Sequence, residues 1–296
     1  MNPSSNISRI CFLIPYFGSW PKWLPFFIES CRKNPDITWK IFSDCGEIPD
    51  CPKNVHIHSM LYDAYCEKIS RAIGLDFQPA QPIKLCDTRP MIGCIHQDDI
   101  AGFDFWAWGD IDLVYGNLRA YFTEERLARK NLFSTYERRV SGPLCIVRNT
   151  PEMNELFFKM KNWKERLLRP TLEALDEGAF SRVFIKWKNW PPSLARLVWK
   201  CNPLYREAEF VQSYNTPYAK LPWTDGTFNF PTRWFWRNGT ITTDINGERM
   251  FPYFHFMTWK HLEHWKTMSP EKAESYRQLA RQSAWQIDET GFSSIS

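Results

Sequence analysis

The sequence predicts an α/β domain with a mainly parallel central sheet flanked by helices, and a small C-terminal β-hairpin and helix addition. Three observations carry this. Short, continuous apolar runs of the kind that fill a sheet buried on both faces recur through the first half. Stretches with helical spacing of apolar residues lie between them. Glycine, proline or aspartate closes most of the runs.

Residues 9–17 (RICFLIPYF) form the first strand, ended by Pro15 and Gly18, and residues 21–31 can follow as a helix. Residues 38–43 (TWKIFS) make a second strand, closed by Asp44 and Gly46, and 54–59 (NVHIHS) a third. A helix fits 62–73, with Gly74 as its stop. Residues 103–108 (FDFWAW) read as a fourth strand, stopped by Gly109, and 131–136 and 143–148 as two more. The second half is less regular. Amphipathic helices fit 152–168 and 171–186, hairpins fit around Asn238-Gly239 and Asn246-Gly247, and a terminal helix fits 270–285.

The bulk composition narrows the function. A chain of 296 residues, 44% hydrophobic, can bury one large core, and 24% charged residues argue against disorder. A net charge of +4 is too mild for nucleic-acid binding. Aromatic residues reach 16%, with 15 Trp and 22 Phe; such rings stack on sugars or bases, or simply fill an aromatic core. The nine cysteines, odd in number and without metal-type spacing, do not form a disulfide framework. The first apolar run lacks a signal-peptide pattern, and no apolar run reaches about 18 residues, so the expected location is the cytoplasm.

One segment stands out for chemistry. In FDFWAWGDIDLVYGNL, Asp110 and Asp112 follow an aromatic strand and a glycine. Ligands of α/β folds bind at the carboxyl ends of strands, and two carboxylates one residue apart there can reach one hard cation such as Mg²⁺ or Mn²⁺. A solvated turn with capping aspartates is the plainer alternative. An acidic pair near so apolar a strand needs a compensating charge.

The blocks IPYFG, IFSD, KLCDTRP, GFDFWAWGDIDLVYGNL and FHFMTWK resemble the GT-A (Rossmann-like) glycosyltransferases, and more closely a bacterial group found with capsule and O-antigen biosynthesis genes. The resemblance spans roughly residues 9–260. It implies a glycosyltransferase domain over 1–265, with a nucleotide-binding half to about 120 and an acceptor half from about 121, followed by a C-terminal helix and tail over 266–296. It also implies transfer of a hexose from a nucleotide-sugar, a UDP-sugar above all, to a growing cell-surface glycan or lipid-linked glycan of the capsule, O-antigen or lipopolysaccharide type. A sugar nucleotidyltransferase or a non-catalytic glycan-binding protein are the alternatives. The first would want a glycine-rich basic loop where PYFGSWPKW stands.

By the same resemblance, Pro15, Tyr16 and Phe17 border the donor, with Tyr16 or Phe17 stacking on the base or forming a plain turn. Asp44 bonds the base or ribose, or caps a helix. Lys84, Asp87 and Arg89 contact phosphate and sugar hydroxyls, or form a structural ion-pair network. His255 is the third metal ligand beside Asp110 and Asp112, or a core histidine, and Lys260 holds a phosphate. Asp176 or Glu177 is the acceptor base of an inverting reaction, or a helix-end acid, and Ser141-Gly142-Pro143 with Arg138 or Arg139 shapes the acceptor side. His56 and His58 share a strand face without a visible third ligand, and His261 and His264 read as a helix face. Residues 182–200, which mix cations with three tryptophans, suit peripheral contact with the inner face of the membrane, or a packed strand and helix with cationic edges.

Overall fold

The computed structural model describes residues 7–187, 190–217, 221–262 and 267–295. Its centre is a seven-stranded sheet in the order β3-β2-β1-β4-β7-β6-β8. The strands are β1 Ile10–Pro15, β2 Ile37–Ser43, β3 Val55–Ser59, β4 Phe105–Gly109, β6 Leu132–Ser134, β7 Leu144–Arg148 and β8 Ala208–Phe210. β7 runs antiparallel to both β4 and β6; the other four pairings are parallel. The mainly parallel α/β sheet read from the apolar runs is thus the sheet observed.

Period-two alternation along each strand splits its side chains between two cores. Cys11 and Leu13 join Trp106, Trp108, Cys145 and Val147 on one face, under helix α2 (Tyr62–Ile73). Ile10, Phe12 and Ile14 join Phe105, Ala107, Leu144 and Ile146 on the other, under helix α1 (Leu24–Arg32). Gly74 ends α2 in the left-handed region at φ 66°. Among the described residues ten tryptophans are buried, so much of the aromatic content is core.

A third core lies under a four-stranded antiparallel sheet, β10-β9-β12-β13. Its strands are β9 Trp234–Arg237, β10 Thr240–Thr243, β12 Ala284–Asp288 and β13 Gly291–Ser293. Asn238 and Gly239 join β9 to β10 with φ of 46° and 85°, the double left-handed turn that the Asn-Gly pair predicts. Phe26 of α1 stacks on Phe292 at 3.6 Å and ties this sheet to the main domain. A two-stranded ribbon, β5 (Leu113–Tyr115) against β11 (Tyr253–His255), completes the fold.

The structure departs from the helix expectations in three places. Residues 152–168 are not one helix but three short turns, Pro151–Asn154, Leu156–Lys159 and Trp163–Leu168, because Asn162 adopts φ 55° and breaks the run. Residues 171–186 begin as irregular chain, with Ala174 at φ 47°, and turn only over Asp176–Phe180 and Ser181–Phe184. The terminal helix stops at Ala280; Trp285 and Ile287 then alternate inward as strand β12, where pairing with β9 prevails. β12 and β13 therefore belong to the sheet that β9 begins. The Asn246-Gly247 turn joins no strand pair and leads instead to Phe251, which bridges Ile241. No helix among the described residues is long and apolar enough to cross a membrane.

Candidate metal and donor site

β1 and β4 are neighbours, yet the chain leaves β1 toward β2, on the side away from β4. This is a topological switch point, the place where open α/β sheets bind ligands at the strands' carboxyl ends. The loop Tyr16–Gly18 leaves β1 there, and Asp110 leaves β4 there. Asp110 donates its backbone N–H to the Pro143 carbonyl at 3.0 Å. Gly109 lets the chain pass: a Cβ there would stand 2.5 Å from the Tyr115 hydroxyl oxygen. The Trp23 indole N–H donates to the Ile111 carbonyl at 3.1 Å and pins the residue between the two acids.

The ribbon then supplies the third group. Its register sets Leu113 opposite His255, so Asp112 and His255 meet although 143 positions separate them. His255 Nε2 lies 3.2 Å from Asp112 Oδ2 and 3.9 Å from Asp110 Oδ2. One possible ligand atom from each of the three falls within 4.8 Å of the others. The opposite ring nitrogen, Nδ1, is 3.2 Å from Thr216 Oγ1, which in turn accepts from the Tyr136 hydroxyl at 3.1 Å. The His255 backbone N–H donates to the Asn215 carbonyl at 2.9 Å.

Charge is arranged around this group in a chain. The Lys260 ammonium donates to Asp112 at 2.6 Å. Burial would raise the Asp112 carboxyl, but His255 and Lys260 outweigh it and hold the group well below the usual carboxylate range. Asp110 moves the other way: burial, with Asp112 adding to it, pushes its carboxyl up against the pull of Arg89. Arg89 bridges Asp110 and Asp176, meeting Asp176 at 2.8 Å. Burial penalises its guanidinium, but Asp110, Cys86 and Asp176 keep it firmly charged. Burial also raises the Glu177 carboxyl, opposed by Arg139 at 3.2 Å. Gly142 lies in this corner; a Cβ there would stand 2.8 Å from Glu177 Oε1 and 3.3 Å from both Arg89 and Asp176.

Of the expected residues, Asp110, Asp112, His255, Lys260, Arg89, Asp176 and Glu177 form one connected cluster. Pro15 ends β1 half-buried, and Tyr16 stacks on Trp20 at 5.6 Å with nearly parallel rings, its hydroxyl donating to the Ser19 carbonyl. Asp44 accepts from the Gly18 N–H at 2.8 Å and so shapes the loop after β1. Phe17 is not presented to a ligand: it is 8% exposed and packs on Tyr62 and Tyr65. Nor are Lys84 and Asp87. Both are buried, 2.8 Å apart, and their hydrogen bonds are committed inside the protein. Lys84 donates to the Thr171 and Arg166 carbonyls, and Asp87 accepts from the Glu173 and Leu175 N–H groups. The pair thus ties the segment Pro82–Met91 to the strand of chain that enters the Asp176 turn.

His56 is exposed on β3 and His58 packs on Phe42 at 4.8 Å, away from the cluster. His261 is exposed, and His264 lies outside the described residues. Within 182–200, where Lys188 and Asn189 are outside the described residues, Trp187 and Trp190 stack at 4.9 Å and stay exposed, while Ala195 and Trp199 are buried. Sequence reasoning missed Thr216 and Asn215, which sit in an irregular loop with no pattern to mark them.

The chain belongs to DUF6625, a family of unknown function whose model matches residues 12–292. No curated protein matches it. Among solved structures it is similar to LgtC galactosyltransferase in complex with donor and acceptor sugar analogues, at 11% identity over 68% of this chain and 86% of that one, with a TM-score of 0.34. An active-site mutant of LgtC gives 12% identity over 58% and 71%, with a TM-score of 0.36. Mouse xyloside xylosyltransferase 1 in its apo form gives 8% identity over 71% and 87%, with a TM-score of 0.37.

Proposed function

We propose that this chain is a GT-A-type glycosyltransferase that moves a hexose from a UDP-sugar to a growing cell-surface glycan, with Mn²⁺ or Mg²⁺ held by Asp110, Asp112 and His255. The observation that carries this reading is the meeting of those three side chains at the end of β4, beside a topological switch point. The donor set suits such an ion: two hard carboxylates and one imidazole. So does the electrostatics. A ring nitrogen of His255 faces two carboxylate oxygens, and burial, with the Asp112 charge adding to it, pushes the Asp110 carboxyl up, a strain that a bound cation would relieve. When bound, the ion supplies charge compensation for the donor diphosphate.

The protein's own groups do the rest. Thr216 orients the His255 ring so that Nε2 faces the acids. Lys260, shared with Asp112, is placed to hold a phosphate oxygen. The Tyr16–Trp20 stack and Asp44 border the loop after β1, where the base belongs; Phe17, Lys84 and Asp87 support that half from within. Arg89 holds Asp176 and Asp110 at a fixed spacing. Of the two acids on the turn, Glu177 is the better base for an acceptor hydroxyl: burial raises its partly exposed carboxyl, which pairs with Arg139 at 3.2 Å, whereas Asp176 is hydrogen-bonded by Arg89. The acceptor half, from about residue 121, presents this corner to a glycan or lipid-linked glycan of the capsule, O-antigen or lipopolysaccharide type. The enzyme would work in the cytoplasm at the inner face of the membrane, which 182–200 touches.

Thermal melting against nucleotides tests this. UDP stabilises the protein when Mn²⁺ is present and not with chelator, since a ligand of the native state raises apparent stability. Asp112→Asn abolishes that stabilisation and metal-dependent turnover while leaving the chelated melting point within a few degrees of the parent. Stabilisation by nucleoside triphosphates alone would favour the nucleotidyltransferase reading, and no response to any nucleotide would end both.

A further inference from the structure

The turn that carries Asp176 has a second neighbour. Ala179, on the same turn, lines a separate cavity of about 360 Å³ whose other walls include Lys159, Lys161, Arg166, Arg182 and Lys186. Among the described residues no carboxylate lines it. Arg166 is held by Glu173 at 2.9 Å, but among the described residues no carboxylate stands within ion-pair distance of the other four cations. Cations converging on one concavity repel one another, and an anion placed among them removes that repulsion. Ammonium and guanidinium donors together fit phosphate oxygens, and the volume admits a phosphate group with room for the carbon skeleton that bears it.

What flanks the cavity points to the source of that phosphate. Phe158, next to Lys159, is 51% exposed, and Trp187, next to Lys186, is 55% exposed. Trp190 stacks on Trp187. The helix Pro192–Lys200 is fastened beside Lys186, whose carbonyl accepts from the Trp199 indole N–H, and it leaves Leu194 and Leu197 more than half exposed. A site for free phosphate has no need of exposed indole and leucine around it. Cations backed by exposed aromatic and aliphatic side chains are the pattern of a surface that settles into a head-group layer.

We propose that this cavity receives the phosphate head group of an anionic membrane lipid, with Trp187, Trp190, Leu194 and Leu197 entering the head-group layer beside it. The inference rests on reading 182–200 as membrane-facing, but not on the transfer chemistry.

Flotation of the full chain with vesicles tests it, without any nucleotide-sugar. The parent floats with phosphatidylcholine vesicles containing phosphatidic acid and not with phosphatidylcholine alone. Lys161→Glu with Arg182→Glu cuts the bound fraction at least about fivefold, and Trp187→Ser also lowers it. All these side chains are exposed, so unchanged melting points will show that the fold is kept. Lys272→Glu, on the distant helix Pro270–Ala280, binds like the parent. Flotation unaffected by the paired charge reversal, or equally weakened by Lys272→Glu, would overturn the proposal. So would stabilisation by inorganic pyrophosphate without any flotation, which assigns the cavity to a soluble phosphate. Asp112→Asn floats like the parent; if it also keeps full transferase activity, the metal assignment falls and the lipid site stands.

Discussion

Replacing Asp87 separates two roles that the sequence leaves open. In the fold its carboxylate is a strut: it accepts from Lys84 at 2.8 Å and from the Glu173 and Leu175 N–H groups at 2.9 and 3.0 Å, with no exposed surface. Asp87→Ala leaves the Lys84 ammonium, 2% exposed, with only carbonyl partners, and orphans two backbone N–H groups, that of Leu175 buried and that of Glu173 partly buried. Breaking one side of a buried pair costs about 3–5 kcal/mol, and the lost charge-assisted bonds fall within that loss rather than adding in full. Against an ordinary total of about 5–15 kcal/mol, this is a large fraction. Urea denaturation in chelator, comparing Asp87→Ala with the parent, should show that loss. Lys84→Met combined with Asp87→Leu should recover part of it, because no stranded charge remains. A loss under about 1 kcal/mol, together with a raised KM for the donor, would refute the strut and return Asp87 to the sugar.

Three further outcomes follow from the same geometry. His96 is fully buried as the neutral ring, its Nδ1–H donating to Asp99 at 2.7 Å and its Nε2 accepting from the Tyr65 hydroxyl at 2.8 Å, and burial lowers its pKa from 6.5 to about 4. Its contribution is intact above the unfolded value and is lost as pH falls from 6.5 toward 4, by about 2.5 kcal/mol between roughly pH 7.5 and 4.5; urea midpoints of the parent and His96→Gln should diverge by that amount, and parallel curves would refute it. Gly116→Ala puts a Cβ 2.5 Å from the Phe251 backbone carbonyl, so the ribbon must shift; a loss of about 1–3 kcal/mol and weakened Mn²⁺ binding by calorimetry are expected. Thr216→Val frees the His255 ring, and Mn²⁺ affinity by electron paramagnetic resonance should fall about 10- to 100-fold with a much smaller change in melting point.

The first half of the chain was legible because its strands are buried on both faces and each is a compact apolar run; RICFLIPYF and FDFWAW announce β1 and β4 directly. The acidic pair was legible for a related reason: Asp110 and Asp112 are carboxylates beside such a run. The second half was harder. Residues 152–168 carry helical spacing, yet three short turns bury Phe157, Trp163 and Leu167 equally well once Asn162 turns left-handed. Residues 284–288 continue a helical pattern until cross-strand pairing with Trp234–Arg237 prevails, a long-range effect that no local window contains. Lys84, Asp87 and Arg89 look alike as a charged triplet in sequence; only the path of 166–176 decides that the first two face inward and the third faces the acids.

The β5–β11 ribbon also sets a schedule. A ribosome emits Asp112 and reaches His255 143 positions later. At about 5–20 residues per second, that interval is roughly 7 to 30 seconds. During it the two acids exist without their imidazole, and Arg89, already synthesised, is available to occupy Asp110. If the proposed metal reading holds, the three-ligand set is complete only once β11 has been made and has paired with β5.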